Sequence, residues 1–340
     1  MKQYTGRERV EAAFKREYAD RVPVNLDVAA HCARLVGITD EEFWSDPEKA
    51  LKAQMKANEL FPSDIVLVPG NPVRPRTYAA TIERKSGPAS SRKRILEDKS
   101  ALATLKFRHP KENQSYVTYL KMCQRVSSMF SHLWVFASVP APWSAAAELR
   151  GLEQLIYDTA DDPQFVHQLM RRTTELAIAR ALAVAETGVM VRCGDPSAGC
   201  GVISPQMYRE FVKPYHQQLF TTVRKETKVR LGLHMCGYTD PIMEDQVSLD
   251  LDWIDIDGPS SLKKMVEASR KKVVIRGNLD AALFGEGTKE QIEEAVKSCL
   301  EVAAPGSAYI LSPGCSIPLN APLENIGYFL DAACKYGRYG

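Results

Sequence analysis

Three side chains have the types and the spacing to share one metal ion. His234 and Cys236 stand two apart at the end of an apolar run, and residues i and i+2 of an extended segment point to the same side. Cys315 follows a second apolar run, after Ser312-Pro313-Gly314. An imidazole and two thiolates suit Zn2+, and three protein ligands leave a fourth tetrahedral position for water or substrate, the arrangement of catalytic zinc sites. Structural sites instead use four ligands packed in CxxC pairs, and the chain contains no CxxC. A single His-x-Cys also occurs in ordinary cores, so spacing alone leaves a structural role open; the position of the three residues in the fold is what adds weight.

That position follows from the alternation of strand and helix signals. Strands are expected at residues 22–26, 63–68, 132–138, 189–192, 228–234, 253–256, 272–276 and 308–312. Helices are expected between them. Thr5-Gly6-Arg7-Glu8 reads as a capping box, Asp162-Pro163 and Ser204-Pro205 as cap plus first-turn proline, and Thr288 to Gln291 as a further cap. Residues 40–60, 116–130 and 323–336 read as helices, and the helix after Pro163 runs toward Glu186, unbroken or with one interruption. Eight strands separated by helices predict a (β/α)8 TIM barrel, an α/β fold, with an N-terminal helical extension. An open doubly wound sheet would need a glycine-rich phosphate turn after an early strand, and none is present. Residues 71–106 are polar and rich in Arg and Lys, an insertion after the second strand in the form of a hairpin or excursion. The whole chain, 1–340, reads as one barrel domain.

In such a barrel the chemistry sits where strands end and βα loops begin. Those ends are Asn25, Ser138, Asp195, His234 with Cys236, Asp257, Asn278 and Cys315. Chosen by position alone, they are polar or metal-binding types. Asp195 is a candidate catalytic group that orients substrate or a ligand, or else a cap for the turn after it. Asn278 is a candidate to hydrogen-bond substrate, or a loop cap. Arg192 could meet an anionic tail such as a sulfonate, or bridge to Asp195 or Asp257 inside the barrel. His31 would line the mouth and meet a cofactor, or lie on the surface. Glu148 is a reserve fourth ligand or a helix-surface residue. Cys193 and Cys200 lack supporting spacing and read as structural.

Composition excludes several classes. Hydrophobic residues make up 45% of the chain and the net charge is +2, with no long block of one sign, so nucleic acid is not an expected partner. No run approaches the roughly 18 apolar residues of a membrane span, and the start lacks the apolar core of a signal peptide. A cytoplasmic protein is expected. Its eight cysteines are scattered, so disulfides are not.

Over nearly its whole length the chain resembles the uroporphyrinogen decarboxylase superfamily. The matching pieces are Glu148-Leu149-Arg150-Gly151, Asp195-Pro196-Ser197 followed by Ile203-Ser204-Pro205-Gln206-Met207-Tyr208, His234-Met235-Cys236-Gly237, Gly277-Asn278-Leu279-Asp280, and Ile317-Pro318 with Pro322-Leu323-Glu324-Asn325. Within that superfamily, His-x-Cys with a distant Cys is the zinc motif of the cobalamin-dependent methyltransferases, of which methylcobalamin:coenzyme M methyltransferases are examples. The resemblance implies Zn2+ on His234, Cys236 and Cys315, and methyl transfer between a corrinoid and a small substrate. A thiol acceptor such as coenzyme M is favoured; the opposite direction, loading a corrinoid from a methyl donor, stays open. No Asp-x-His-x-x-Gly signature for binding a corrinoid is present, so methylcobalamin is expected on a separate corrinoid protein. Decarboxylases of the superfamily carry an Arg-Gln-Ala-Gly-Arg segment after the first strand. The corresponding Asn25-Leu26-Asp27-Val28-Ala29-Ala30-His31 has no arginine and lacks a clamp for a polyanionic tetrapyrrole. A metal-free decarboxylase and a non-enzymatic corrinoid-binding module are the competing readings.

Overall fold

Strands separated by helices cannot pair as hairpins; each crosses back to lie parallel to the one before it. The computed structural model, which describes residues 4–71 and 94–339, shows this for seven strands. They are β1 (Ile65–Leu67), β2 (Trp134–Pro140), β3 (Met190–Gly194), β4 (Leu231–His234), β5 (Trp253–Ile256), β6 (Val274–Leu279) and β7 (Tyr309–Pro313), hydrogen-bonded in that order. The fold is α/β, a TIM barrel.

The eighth expected strand, residues 22–26, is not a regular one. Pro23 has no N–H, and the N–H of Val24 goes to the carboxylate of Asp64 at 2.7 Å instead of to a ladder. The segment still occupies the strand position. Asn25 N donates to Leu311 O and Leu311 N to Pro23 O on the β7 side, while Asp64 N donates to Val24 O on the β1 side. Side chains thus stand in for part of the ladder where the barrel closes.

The expected caps are present at Thr5, Asp162, Ser204 and Thr288. The helix Pro163–Ala185 runs without interruption. Residues 40–60 divide into Asp40–Ser45 and Pro47–Leu60, because Pro47 is tolerated only in a first turn and Asp46 caps that turn. Most of the expected insertion, 72–93, lies outside the described residues. Its far end is anchored: Arg150 Nη1 donates to the carbonyls of Leu96 and Glu97, both at 2.7 Å. No helix among the described residues is long and apolar enough to cross a membrane.

Two features of the interior position the site. The helix α1 (Gly6–Lys15) lies across the N-terminal end of the barrel. Its Val10 and Phe14 join Ile65, Trp134, Phe136, Trp253, Val274 and Ile310 in a buried apolar floor. Burial of each of these two side chains contributes about 1.5–3 kcal/mol. Above the floor the inward residues become polar. His234 is in register with Asp255, and Asp255 with Arg276, so three neighbouring strands present these side chains on one face.

Candidate metal centre

β4 delivers His234 at its last residue, and the chain then turns through Gly237 at φ 76°. His234 Nε2 lies 3.2 Å from Cys236 Sγ, and Cys236 Sγ lies 3.9 Å from Cys315 Sγ. All three ligand atoms fall within 4.8 Å of one another, the only such group of His, Cys, Asp or Glu among the described residues. The donor set fits a thiophilic, tetrahedral ion with one position left over.

The loops meet because of one glycine and one carboxylate. Asp257, just beyond β5, accepts from Gly237 N and Gly258 N, both at 2.7 Å, and so ties the Cys236 loop to its own. A Cβ on Gly314 would lie 2.6 Å from Gly258 N and 2.8 Å from the Cα of Asp257. Only glycine lets the loop carrying Cys315 come this close. Gly314→Ala is therefore expected to displace Cys315 and weaken the affinity of the cluster for a metal ion at least about tenfold, the lower end for disturbing a ligand's support. Chelator competition measures this, and an unchanged affinity would show that the loop absorbs the methyl group.

The two thiols share charge unequally. Hydrogen bonding to Cys236, and then to His234, pulls Cys315 down to about 5. Cys236, beside Cys315 and partly buried, is pushed up. Burial alone would lower His234, but the nearby Asp255 carboxylate and Cys315 outweigh it and the net shift is upward.

Behind the ligands lies a charged layer. Asp255 Oδ2 sits 3.6 Å from His234 Nδ1 and 3.5 Å from Arg192 Nη1, and accepts from Arg276 Nη2. Burial would raise Asp255, but Arg276, His234 and Arg192 hold it at about 2. Arg192 does not bridge to Asp195 or Asp257 as the sequence suggested; its partners are Asp27, at 3.4 Å, and Asp255. Both guanidinium groups also lie over the ring of Phe136, at 4.8 and 4.7 Å. A cavity of about 200 Å³ opens beside them, with Asp27, Arg192, Ser138, Ser316 and Trp44 in its wall. Ser316 follows Cys315 directly and donates to Asp27 Oδ1 at 3.2 Å, so this cavity adjoins the ligand cluster.

The remaining candidates are committed elsewhere. Asp195 is fully buried and caps a helix from a distance, since Trp143 N, Ser144 N and His216 Nε2 all donate to it, at 3.3, 2.7 and 2.8 Å. It caps the start of the helix Pro142–Arg150, not the turn that follows it. Asn278 donates to Ser260 O at 2.8 Å and accepts from Cys299 Sγ. His31 is not on the surface: it is buried, its Nε2–H donates to Ala321 O at 2.9 Å, and burial lowers its pKa. Glu148 is half-buried, which raises its pKa, and it is not among the clustered ligands. Cys193 is buried and Cys200 half-buried, and burial raises both thiols.

Sequence reasoning missed Asp255, Arg276 and Asp27. A signal existed: Trp253, Asp255 and Asp257 alternate with period two, so a carboxylate that shares its face with Trp253 had to lie inside the barrel.

Comparison with known proteins places these residues in a context. The uroporphyrinogen decarboxylase (URO-D) family model matches residues 5–336. A methylated-thiol–coenzyme M methyltransferase from Methanosarcina mazei is 28% identical over 57% of this chain and 51% of its own length. The methylcobamide:CoM methyltransferase MtbA of the same organism is 25% identical over 99% of both chains. A uroporphyrinogen decarboxylase from Prochlorococcus marinus is 30% identical over 67% of this chain and 65% of its own. The match thus spans about half of the first relative and nearly all of the second. A solved methyltransferase from Methanosarcina mazei superposes with a TM-score of 0.79 at 21% identity, covering 98% of this chain and 99% of that one, and shows the same fold.

Proposed function

The chain belongs to the uroporphyrinogen decarboxylase (URO-D) family, and on that footing we propose that it is a zinc-dependent methyltransferase that moves a methyl group between a corrinoid and a small substrate, with a thiol such as coenzyme M as acceptor. The observation that carries this reading is the His234, Cys236 and Cys315 cluster at the mouth. A decarboxylase has no use for three convergent soft ligands. The 25–31 segment supports the same branch, because it offers Asp27 and no arginine to the interior.

When bound, zinc would supply a position at which a substrate thiol loses its proton and stays nucleophilic, since two thiolates and a neutral imidazole cancel its charge. The chain's own residues do the rest. His234, Cys236 and Cys315 would hold the ion. Asp257 and Gly314 fix the two loops against each other. The adjoining cavity, with Asp27, Ser138, Arg192 and Ser316, takes the tail of the substrate and keeps bulk water from its sulfur. Asp195, Asn278 and His31 are positioning residues that hold loops and helix ends, not groups that touch the reacting atoms.

The partner is a corrinoid protein that docks over the mouth. Tyr238 and Leu319, on the two ligand-bearing loops, are exposed, as is Val202 on the neighbouring loop, where Cys200 N donates to Tyr238 O at 2.7 Å. These exposed apolar groups are candidates to meet the partner.

Zinc-loaded protein mixed with methylcobalamin is expected to demethylate it only when a thiol is supplied, followed by the cobalamin absorbance. Calorimetry in two buffers of different ionisation enthalpy should count close to one proton released per thiol bound below the free thiol's pKa. Zinc X-ray absorption should show the sulfur shell growing from two to three. Tight thiol binding with neither change would place the thiol beside the metal and defeat the mechanism. A methyl ether that loads cob(I)alamin, with no thiol accepting methyl, would reverse the direction.

A further inference from the structure

Among the buried polar atoms that make no hydrogen bond are His234 Nδ1 and Asp255 Oδ1. They belong to side chains in register on adjacent strands, and His234 Nδ1 already lies 3.6 Å from the other oxygen of that carboxylate. A small turn of either group would close this gap and satisfy a buried donor that otherwise costs free energy. The other face of the ring is settled by geometry, because Nε2 is the nitrogen 3.2 Å from Cys236 Sγ. Arg276 and Arg192 meet the same oxygen, Asp255 Oδ2, that faces His234, and Arg192 is held in turn by Asp27 in the cavity wall.

Resting on the reading of the three clustered residues as a zinc site, we propose that Asp255 is the positioning residue of the metal centre. It accepts the Nδ1–H of His234, fixes that tautomer, and aims Nε2 at the ion. Arg276 and Arg192 hold the carboxylate in place. An outer carboxylate of this kind strengthens the donor power of the imidazole as well as its aim. The same arrangement connects the cavity to the centre, since the chain Asp27–Arg192–Asp255–His234 runs from the cavity wall to a ligand without leaving the barrel interior.

The test uses the full-length zinc-loaded protein with 15N-labelled histidine. The chain has six histidines, few enough to resolve, and His234 is identified by the signal lost in His234→Gln. Wild-type protein is expected to show a proton on Nδ1 of His234, shifted downfield and slow to exchange, with Nε2 metal-bound. Asp255→Asn is expected to lose that protection and to lower zinc affinity about 10–100-fold, read by chelator competition, with an altered visible spectrum after Co2+ replaces zinc. Asp331→Asn, an exposed carboxylate on the last helix, should leave zinc affinity unchanged. Zinc held through Nδ1, or Asp255→Asn matching wild type in affinity and spectrum, would overturn the assignment. The wild-type measurement decides the matter even if Asp255→Asn does not fold. Wild-type protein that takes up no zinc would instead defeat the zinc reading itself, a separate and recognisable result.

Discussion

Cys315→Ala is expected to abolish zinc binding and methyl transfer together while leaving the barrel standing. Wild-type protein should carry about one zinc per chain by elemental analysis, from three ligands and one open position. The variant keeps an imidazole and a single thiolate, too few to hold the ion against a chelator. Turnover should fall by more than about 100-fold, beyond the range for changes that leave all ligands in place. The fold should survive because Cys315 is half-buried in a loop beyond β7 and makes no part of the apolar core. Circular dichroism and a melting temperature within a few degrees of wild type would confirm that. Retention of both zinc and turnover in Cys315→Ala would remove the centre from the mechanism.

Asp195→Ala should behave in the opposite way, losing stability first. Its carboxylate meets two N–H groups at the start of the helix Pro142–Arg150 and the Nε2–H of the fully buried His216. Removing it strands these donors, at a cost of about 3–5 kcal/mol, the range for breaking a buried pair by removing one partner. For a 340-residue chain this corresponds to a fall of roughly 4–7 °C in melting temperature. Well below that temperature, zinc content and the thiol dependence of turnover should persist. A catalytic Asp195 would give the reverse pattern: an unchanged melting curve and no turnover.

The contrast between these two residues shows what the sequence can reveal. His234, Cys236 and Cys315 were legible because strand ends and period-two spacing are local properties, and local properties decide where those side chains point. Asp195 was legible as a strand end, but its partners come from a helix some fifty residues earlier, and no local pattern announces that. Arg192 was correctly placed inside the barrel and wrongly partnered for the same reason: Asp27 and Asp255 reach it across strands. The barrel itself was legible through its alternation, apart from the segment at 22–26. There the pattern of apolar residues is that of a strand, yet Pro23 and the Asp64 carboxylate take over bonds a ladder would have made. Burial follows the pattern, while the hydrogen bonding depends on a side chain forty residues away.

The helix that seals the barrel floor has a kinetic meaning. With Val10 and Phe14 packed among the tryptophans, the barrel is a cup and not a tube. Whatever enters must leave by the rim it came in through. On the proposed function, a small thiol seated at the ligand loops would lie beneath any large protein that covers the rim, and would have to be in place before that protein arrived. Its methylated product would then wait until the protein had gone. An excess of a corrinoid partner over the rim would accordingly slow turnover.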